Sequence, residues 1–221
     1  MSSELPDNGL SGAYAAAVFA RLGSAPAIDY FPWRRTMEMG THDQRYAGLL
    51  AVLRTPQREA ICHFSTPIGT TQIVLAYLRD SPVQVSSLKE LKGAQLGTVA
   101  GYANGEAFDS LVRRGVLSVQ EGLNDDINLR KLLNRRFDAM VVEKRVLRHL
   151  LASSRFSRAE RERVAFTEHL FHERKLHICF QRSPAGLAQQ RAFNDASREI
   201  DLARFERDYM RRLEADRPTV N

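Results

Sequence analysis

The chain has 221 residues, 43% apolar and 26% charged, the balance of a globular protein long enough to bury a core in one large domain or two small lobes. Its formal net charge is +6, and 27 of its 32 basic residues are arginine, but they are interleaved with acids, as in RAERERV and RFERDYMRRLEADR. Such runs read as solvated helix faces with i,i+4 pairing, and without an aromatic-rich basic stripe or a nucleic-acid motif they argue against nucleic acid as a partner.

From the N-terminus, MSSELPDNGLSG has neither a basic region nor an apolar core, so it is not read as a signal peptide, and no window of eighteen apolar residues predicts a membrane span. Residues 11–23 predict a helix, alanine-rich and apolar on one face, closed by Gly23. AIDYFPWRR reads as a short strand stopped by Pro32, with a helix starting at RTMEM and broken at GTHDQ. YAGLLAVL, residues 46–53, is a continuous apolar run of strand length, and AICHFSTPI and TQIVLAYLR are strand-like after the turn that holds Arg58. A short helix capped by Ser87 and ended by Gly93 precedes the strand AQLGTVA; GYANGE is a Gly-rich turn into a helix that ends at Gly115. LSVQEG, NDDINLRKLLNRR, FDAMVVEK and RVLRHLLASS continue as strand, amphipathic helix, strand and helix, and from Ser183 the chain is helical to its end. Alternation at this spacing predicts an α/β fold with a mainly parallel sheet.

In such sheets ligands sit beyond the carboxyl ends of the strands, near helix N-termini that favour anions. Arg58 follows one strand end and GYANGE another, so both suit a small anionic or zwitterionic molecule; Arg58 as a solvated helix residue is the competing reading. Cys62 and Cys179 each lie in an apolar segment, and as buried thiols or a disulfide they leave the compartment open. His169, His172 and His177 lack the spacing of a metal site, and no metal or cofactor is expected. His63 lies between Cys62 and Ser65 in a strand-like run, where adjacent side chains point to opposite faces, and there is no G-x-S-x-G elbow or P-loop, so hydrolase and nucleotide chemistry are not expected.

These residues resemble a family, the amino-acid-type (cluster 3) periplasmic solute-binding proteins of ABC transporters. LRTPQREAICHFSTPI is similar to the family's Thr-Pro-Glu-Arg followed by Phe-Ser-x-Pro-Tyr. VSSLKELKGAQLGTVAGYANGEAF resembles the opening of the family's second lobe, LRKLLNRRFDAMVVEK its later segment ending in aspartate, and IDYFPWRRTME a subgroup with Pro-Trp-x-Arg. The match is collinear from about residue 9 to 213. It implies a two-lobed, hinge-linked type II fold, with lobe 1 at residues 1–76 plus 181–221 and lobe 2 at 77–180; the family's first strand should precede LPDNG, where little of it is present, so that strand is expected to be missing or trimmed.

The resemblance further implies a monomer in the periplasm that binds an amino-acid-like solute in the interlobe cleft, closes on it and hands it to the membrane permease of an ABC importer. Arg58 then holds the ligand carboxylate in a bidentate grip, with Thr55 in the same turn. Tyr102, Ala103 and Asn104 form the second-lobe turn, Glu143 stands where the family has the aspartate for the ligand ammonium, and Trp33 lines the first lobe's side of the cleft. The residues also allow blander roles: Trp33 as a core aromatic, Glu143 as a helix N-terminal acid, Asn104 as an N-cap. Glu143 for aspartate, Ala103 for a hydroxyl, Leu53 for serine, Ala47 for aspartate and Ile68 for tyrosine depart from the pattern of an ordinary α-amino-acid binder. The reading is of a binding protein and not an enzyme; the alternatives are a same-fold dehydratase using Glu143 as general acid on a cyclohexadienyl-type acid, a sensory module, or a degenerate member that binds nothing.

Overall fold

The computed structural model describes residues 6–215. In chain order the elements are helices α1 (Gly9–Arg21) and α2 (Trp33–His42), strand β1 (Gly48–Leu53), the short α3 (Pro56–Glu59), β2 (Cys62–Phe64), β3 (Gly69–Thr71), β4 (Ile73–Leu78), β5 (Gln95–Val99), α4 (Glu106–Arg113), β6 (Ser118–Gly122), α5 (Asp125–Leu133), β7 (Ala139–Glu143), α6 (Lys144–Ala152), α7 (Arg158–Glu162), β8 (Val164–Thr167), β9 (Arg174–Gln181), α8 (Pro184–Ser197) and α9 (Leu202–Ala215). The position before LPDNG, where the family's first strand is expected to be missing or trimmed, lies outside the described residues. Two compact units divide the chain: the first holds residues up to Phe31, Arg35–Thr70 and everything from Lys175, the second Pro32–Arg34 and Thr71–Arg174. The sequence reading set the crossings at 76/77 and 180/181, whereas β4 pairs along its length with β7 and β8 and belongs wholly to the second unit.

The first unit is built on a sheet ordered β1-β9-β2, with β3 also paired to β9. Helix α1 seats Tyr14, Ala15 and Val18 against Ile178, Phe180 and Phe193, and burying each large side chain contributes about 1.5–3 kcal/mol. It ends as expected, with Gly23 at φ +70 and paired bonds from Gly23 N to Ala20 O and Ser24 N to Phe19 O satisfying its last carbonyls. Here the expected parallel pairing is corrected: β1 and β2 both run antiparallel to β9. The reason is connectivity, because β9 returns from the second unit and inserts between them without a crossover helix. The same geometry resolves the cysteines, since β2 and β9 bring Cys62 and Cys179 into a disulfide.

The second unit's sheet is ordered β6-β5-β7-β4-β8. β5 is parallel to β6 and to β7, as the strand–helix alternation predicts, and β4 alone is reversed, antiparallel to β7 and β8. Leu129, Leu132, Met140, Leu147 and Phe156 are almost fully buried in the core beneath it.

Two local expectations are corrected. No strand forms at AIDYFPWRR; residues 24–32 are irregular and a helix begins at Trp33, directly after Pro32. That helix runs through the supposed break to His42, because Gly40, without a Cβ, lies against Leu49 of β1. Helix α7 and strand β8, which the sequence reading passed over, start from a capping box in which Ser157 and Glu160 satisfy each other's backbone.

Candidate functional site

In the first unit, β1 carries a register shift between Leu49 and Val52, with Ala51 at φ +59, and delivers the chain to α3. Thr55 is the N-cap, its hydroxyl accepting from Arg58 N at 3.3 Å, and Pro56 follows at the first helical position. Arg58 is only 8% exposed, which sets aside the solvated-helix reading, and its Nη1 donates to Leu53 O at 3.0 Å. The grip on the Leu53 carbonyl orients a buried guanidinium at the end of β1. On the same unit His177 is buried, its Nδ1 2.8 Å from Ser65 O, and burial lowers its affinity for a proton; His169, in the second unit, bonds Val85 O and Thr167. Among the described residues no group of three His, Cys, Asp or Glu is placed to hold a metal ion.

In the second unit β5, β6 and β7 present their carboxyl ends side by side, and the remaining expected residues gather there. Tyr102 follows β5 in a turn opened by Gly101 at φ +77. Trp33, from the Pro32–Arg34 segment, stacks edge-to-face on Tyr102 with centroids 5.5 Å apart and donates its indole N–H to Gly101 O at 2.8 Å. Expected on the first lobe's side, Trp33 thus groups with the second unit. Asn104 is 5% exposed and holds the turn's shape: its Nδ2 donates to Thr98 Oγ1 at 2.9 Å, while its N–H and that of Gly105 reach the Asp109 carboxylate. The N-cap of α4 is Gly105, at φ +116, and not Asn104. Glu143 ends β7 and caps α6, its carboxylate accepting from Val146 N at 2.8 Å.

The sequence reading missed Asp125 and Asn128. Asn124 caps α5 through Ile127 N, so Asp125 opens the helix and Asn128 lies one turn on, on the face that also buries Leu129 and Leu132. Asp125 is 8% exposed and Asn128 fully buried. Gly122, at the end of β6, leaves room for the Asn128 amide, for a Cβ there would lie 1.9 Å from its Oδ1. The Tyr102 hydroxyl donates to Asp125 Oδ2 at a long 3.4 Å. Burial, opposed by that bond and reinforced by the Glu143 charge, pushes the Asp125 carboxyl up to about 6. Burial and the Asp125 charge likewise hold the Tyr102 phenol well above its usual range. The signal was present in NDDINLRKLL: two polar side chains on the i, i+3, i+4, i+7 stripe that should be apolar.

No protein-family model and no curated protein matches the sequence. Solved structures match its fold. An ancestral arginine-binding protein bound to arginine is similar over 91% of this chain and 87% of its own, with a TM-score of 0.75 at 15% identity. The amino acid ABC transporter substrate-binding protein AbpA from Streptococcus pneumoniae, bound to L-arginine, aligns with 92% of this chain and 84% of its own at a TM-score of 0.69 and 14% identity. The ancestral amino acid-binding protein AncCDT-1, a precursor of cyclohexadienyl dehydratase, covers 91% and 85% at a TM-score of 0.70 and 13% identity. The chain thus has the two-unit α/β fold of the amino-acid-binding proteins of ABC transporters.

Proposed function

We propose that the protein binds a small carboxylated or zwitterionic, amino-acid-like solute and delivers it, as a monomer, to the membrane permease of an ABC importer. The observation that carries this reading is the fold, shared over nine-tenths of the chain with proteins that bind amino acids. Arg58 is the proposed partner of the solute carboxylate: it is buried, oriented by the Leu53 carbonyl, and stands at a strand end. Tyr102, Asn104, Glu143 and Trp33, with Thr55 beside Arg58, are the other proposed ligand-side residues. The Cys62–Cys179 disulfide supports an oxidising compartment such as the periplasm, and no helix among the described residues is long and apolar enough to cross a membrane. The dehydratase alternative finds less support, because Glu143, its required general acid, is engaged as an acceptor in the cap of α6.

A thermal-shift screen with amino acids, small carboxylates and polyamines tests the proposal. A ligand at 100 times its Kd raises stability by about 2.7 kcal/mol, and Arg58→Ala should abolish the response to carboxylated solutes. No rise with any carboxylated solute, or an equal rise in Arg58→Ala, would falsify the carboxylate anchor.

A further inference from the structure

Asp125 and Asn128 are an anomaly for a helix face buried in a core. Asp125 Oδ1 and both amide atoms of Asn128 are buried without a hydrogen-bond partner among the described residues. A buried polar atom left unpaired costs free energy, and four on one helical turn, Asp126 Oδ2 being the other, call for an explanation other than packing. Helix α5 could have carried leucine at both positions, as it does at Leu129 and Leu132. The cluster faces the carboxyl ends of parallel strands: Gly122 of β6 lies under Asn128, Tyr102 after β5 touches Asp125, and the Glu143 charge at the end of β7 reaches both Tyr102 and Asp125. Among the described residues, the Tyr102 hydroxyl and the Glu143 carboxyl are the side-chain groups that act on Asp125, with the Asn128 amide one turn along.

We infer that Asp125, with Asn128 one turn along, is the receptor for a cationic nitrogen of the solute, a guanidinium or a primary ammonium, and that the Tyr102 hydroxyl holds its place until the solute arrives. The complementarity is chemical. Asp125 Oδ1 and Asn128 Oδ1 both require donors, and a guanidinium or ammonium offers several N–H groups within the span of one helical turn. The positive charge answers the paired negative field of Asp125 and Glu143. A charged N–H donor also competes well against a neutral phenol held at 3.4 Å, so the solute can take over the place of the Tyr102 hydroxyl on Asp125. Tyr102 sits in the turn after β5 and its contact with Asp125 is long, whereas Asp125 is fixed in the first turn of α5. The inference deepens the proposed function and rests on it in taking these strand ends as the ligand face.

The test is binding to the full chain by calorimetry, with probes that separate the two ends of a solute: L-arginine, its uncharged analogue L-citrulline, and agmatine, which keeps the guanidinium and lacks the carboxylate. L-lysine and cadaverine form the parallel ammonium pair. The expected result is that arginine or lysine binds at least about tenfold more tightly than citrulline, and that Asp125→Asn removes this preference. Arg58→Ala should weaken the carboxylated probes and spare agmatine and cadaverine. Tyr102→Phe, which removes only the competing hydroxyl, should keep or strengthen the preference for cations and serves as the second variant if Asp125→Asn does not fold. Citrulline binding as tightly as arginine, or an undiminished preference in Asp125→Asn, overturns the cation receptor and leaves solute binding standing. Agmatine binding without any response to carboxylated solutes overturns the solute reading and leaves the receptor.

Discussion

A carboxyl group 8% exposed, with one oxygen unpaired and the other on a long phenol contact, is unfavourable in its ionised form, and Asp125 therefore takes up its proton near pH 6 instead of its ordinary 3.8. Since the folded protein holds this proton more tightly than the unfolded chain, the stability associated with it is complete below pH 3.8 and is lost as pH rises through about 6. At neutral pH the buried charge costs the fold about 3 kcal/mol. Asp125→Asn, which cannot ionise, should be more stable than the parent by about 1–3 kcal/mol at pH 7 and lose that advantage near pH 4, as read from urea denaturation at the two values. Parallel stability–pH curves for the two proteins would sink the assignment. The same comparison shows what the sequence reveals at this scale. Arg58 drew notice through its place after a strand end and in a motif similar to a known family; Asp125 was passed over, because an acid in the first turn of a helix is ordinary and only its place on the apolar stripe with Asn128 marks it.

At the scale of elements, α5 and its neighbours show where local patterns suffice. Its amphipathic stripe and its leucines were readable, since they depend on residues within two turns of each other, although the helix ends at Leu133, short of the Arg136 to which the pattern runs. Its seat on β6 was not, because that depends on a glycine contributed by another element. Gly122 lies against Asn128 with no room for a methyl group, so Gly122→Ala must push α5 off the end of β6 or force Asn128 into another rotamer. We expect a loss of about 1–3 kcal/mol in chemical denaturation, together with weakened binding of any solute that reaches Asp125. Unchanged stability would mean that the helix end yields easily. Strand direction was illegible for a related reason: the apolar run of β4 reads the same whichever way its partners run, and its reversal between β7 and β8 follows from where the chain enters the second unit.

For the whole molecule, four collinear motifs made the two-unit plan readable, while the disulfide stayed hidden because 117 residues separate Cys62 from Cys179. That separation encloses residues 71–174, so the bond closes its loop around all of the second unit but Pro32–Arg34, while both sulfurs belong to the first. Its effect on stability therefore depends on what unfolds. If the entire chain unfolds, the closed loop exceeds 100 residues and the bond contributes about 5 kcal/mol on chain-entropy grounds. If only the first unit unfolds, the second still holds its own chain, and the strands entering and leaving it, β3 and β9, are hydrogen-bonded neighbours in the native sheet. The free loop then shrinks to about 15 residues and the contribution to about 3 kcal/mol. Replacing both cysteines with alanine should thus lower the first unit's stability by about 3–5 kcal/mol, including some loss of packing, with the second unit little affected. Calorimetry combined with hydrogen exchange resolves the two, with protection in β9 expected to fall and protection in β5 and β7 to persist. An equal fall in both units would show that they unfold as one, and no fall in β9 would show that the sheet β1-β9-β2 holds the first unit without its covalent tie.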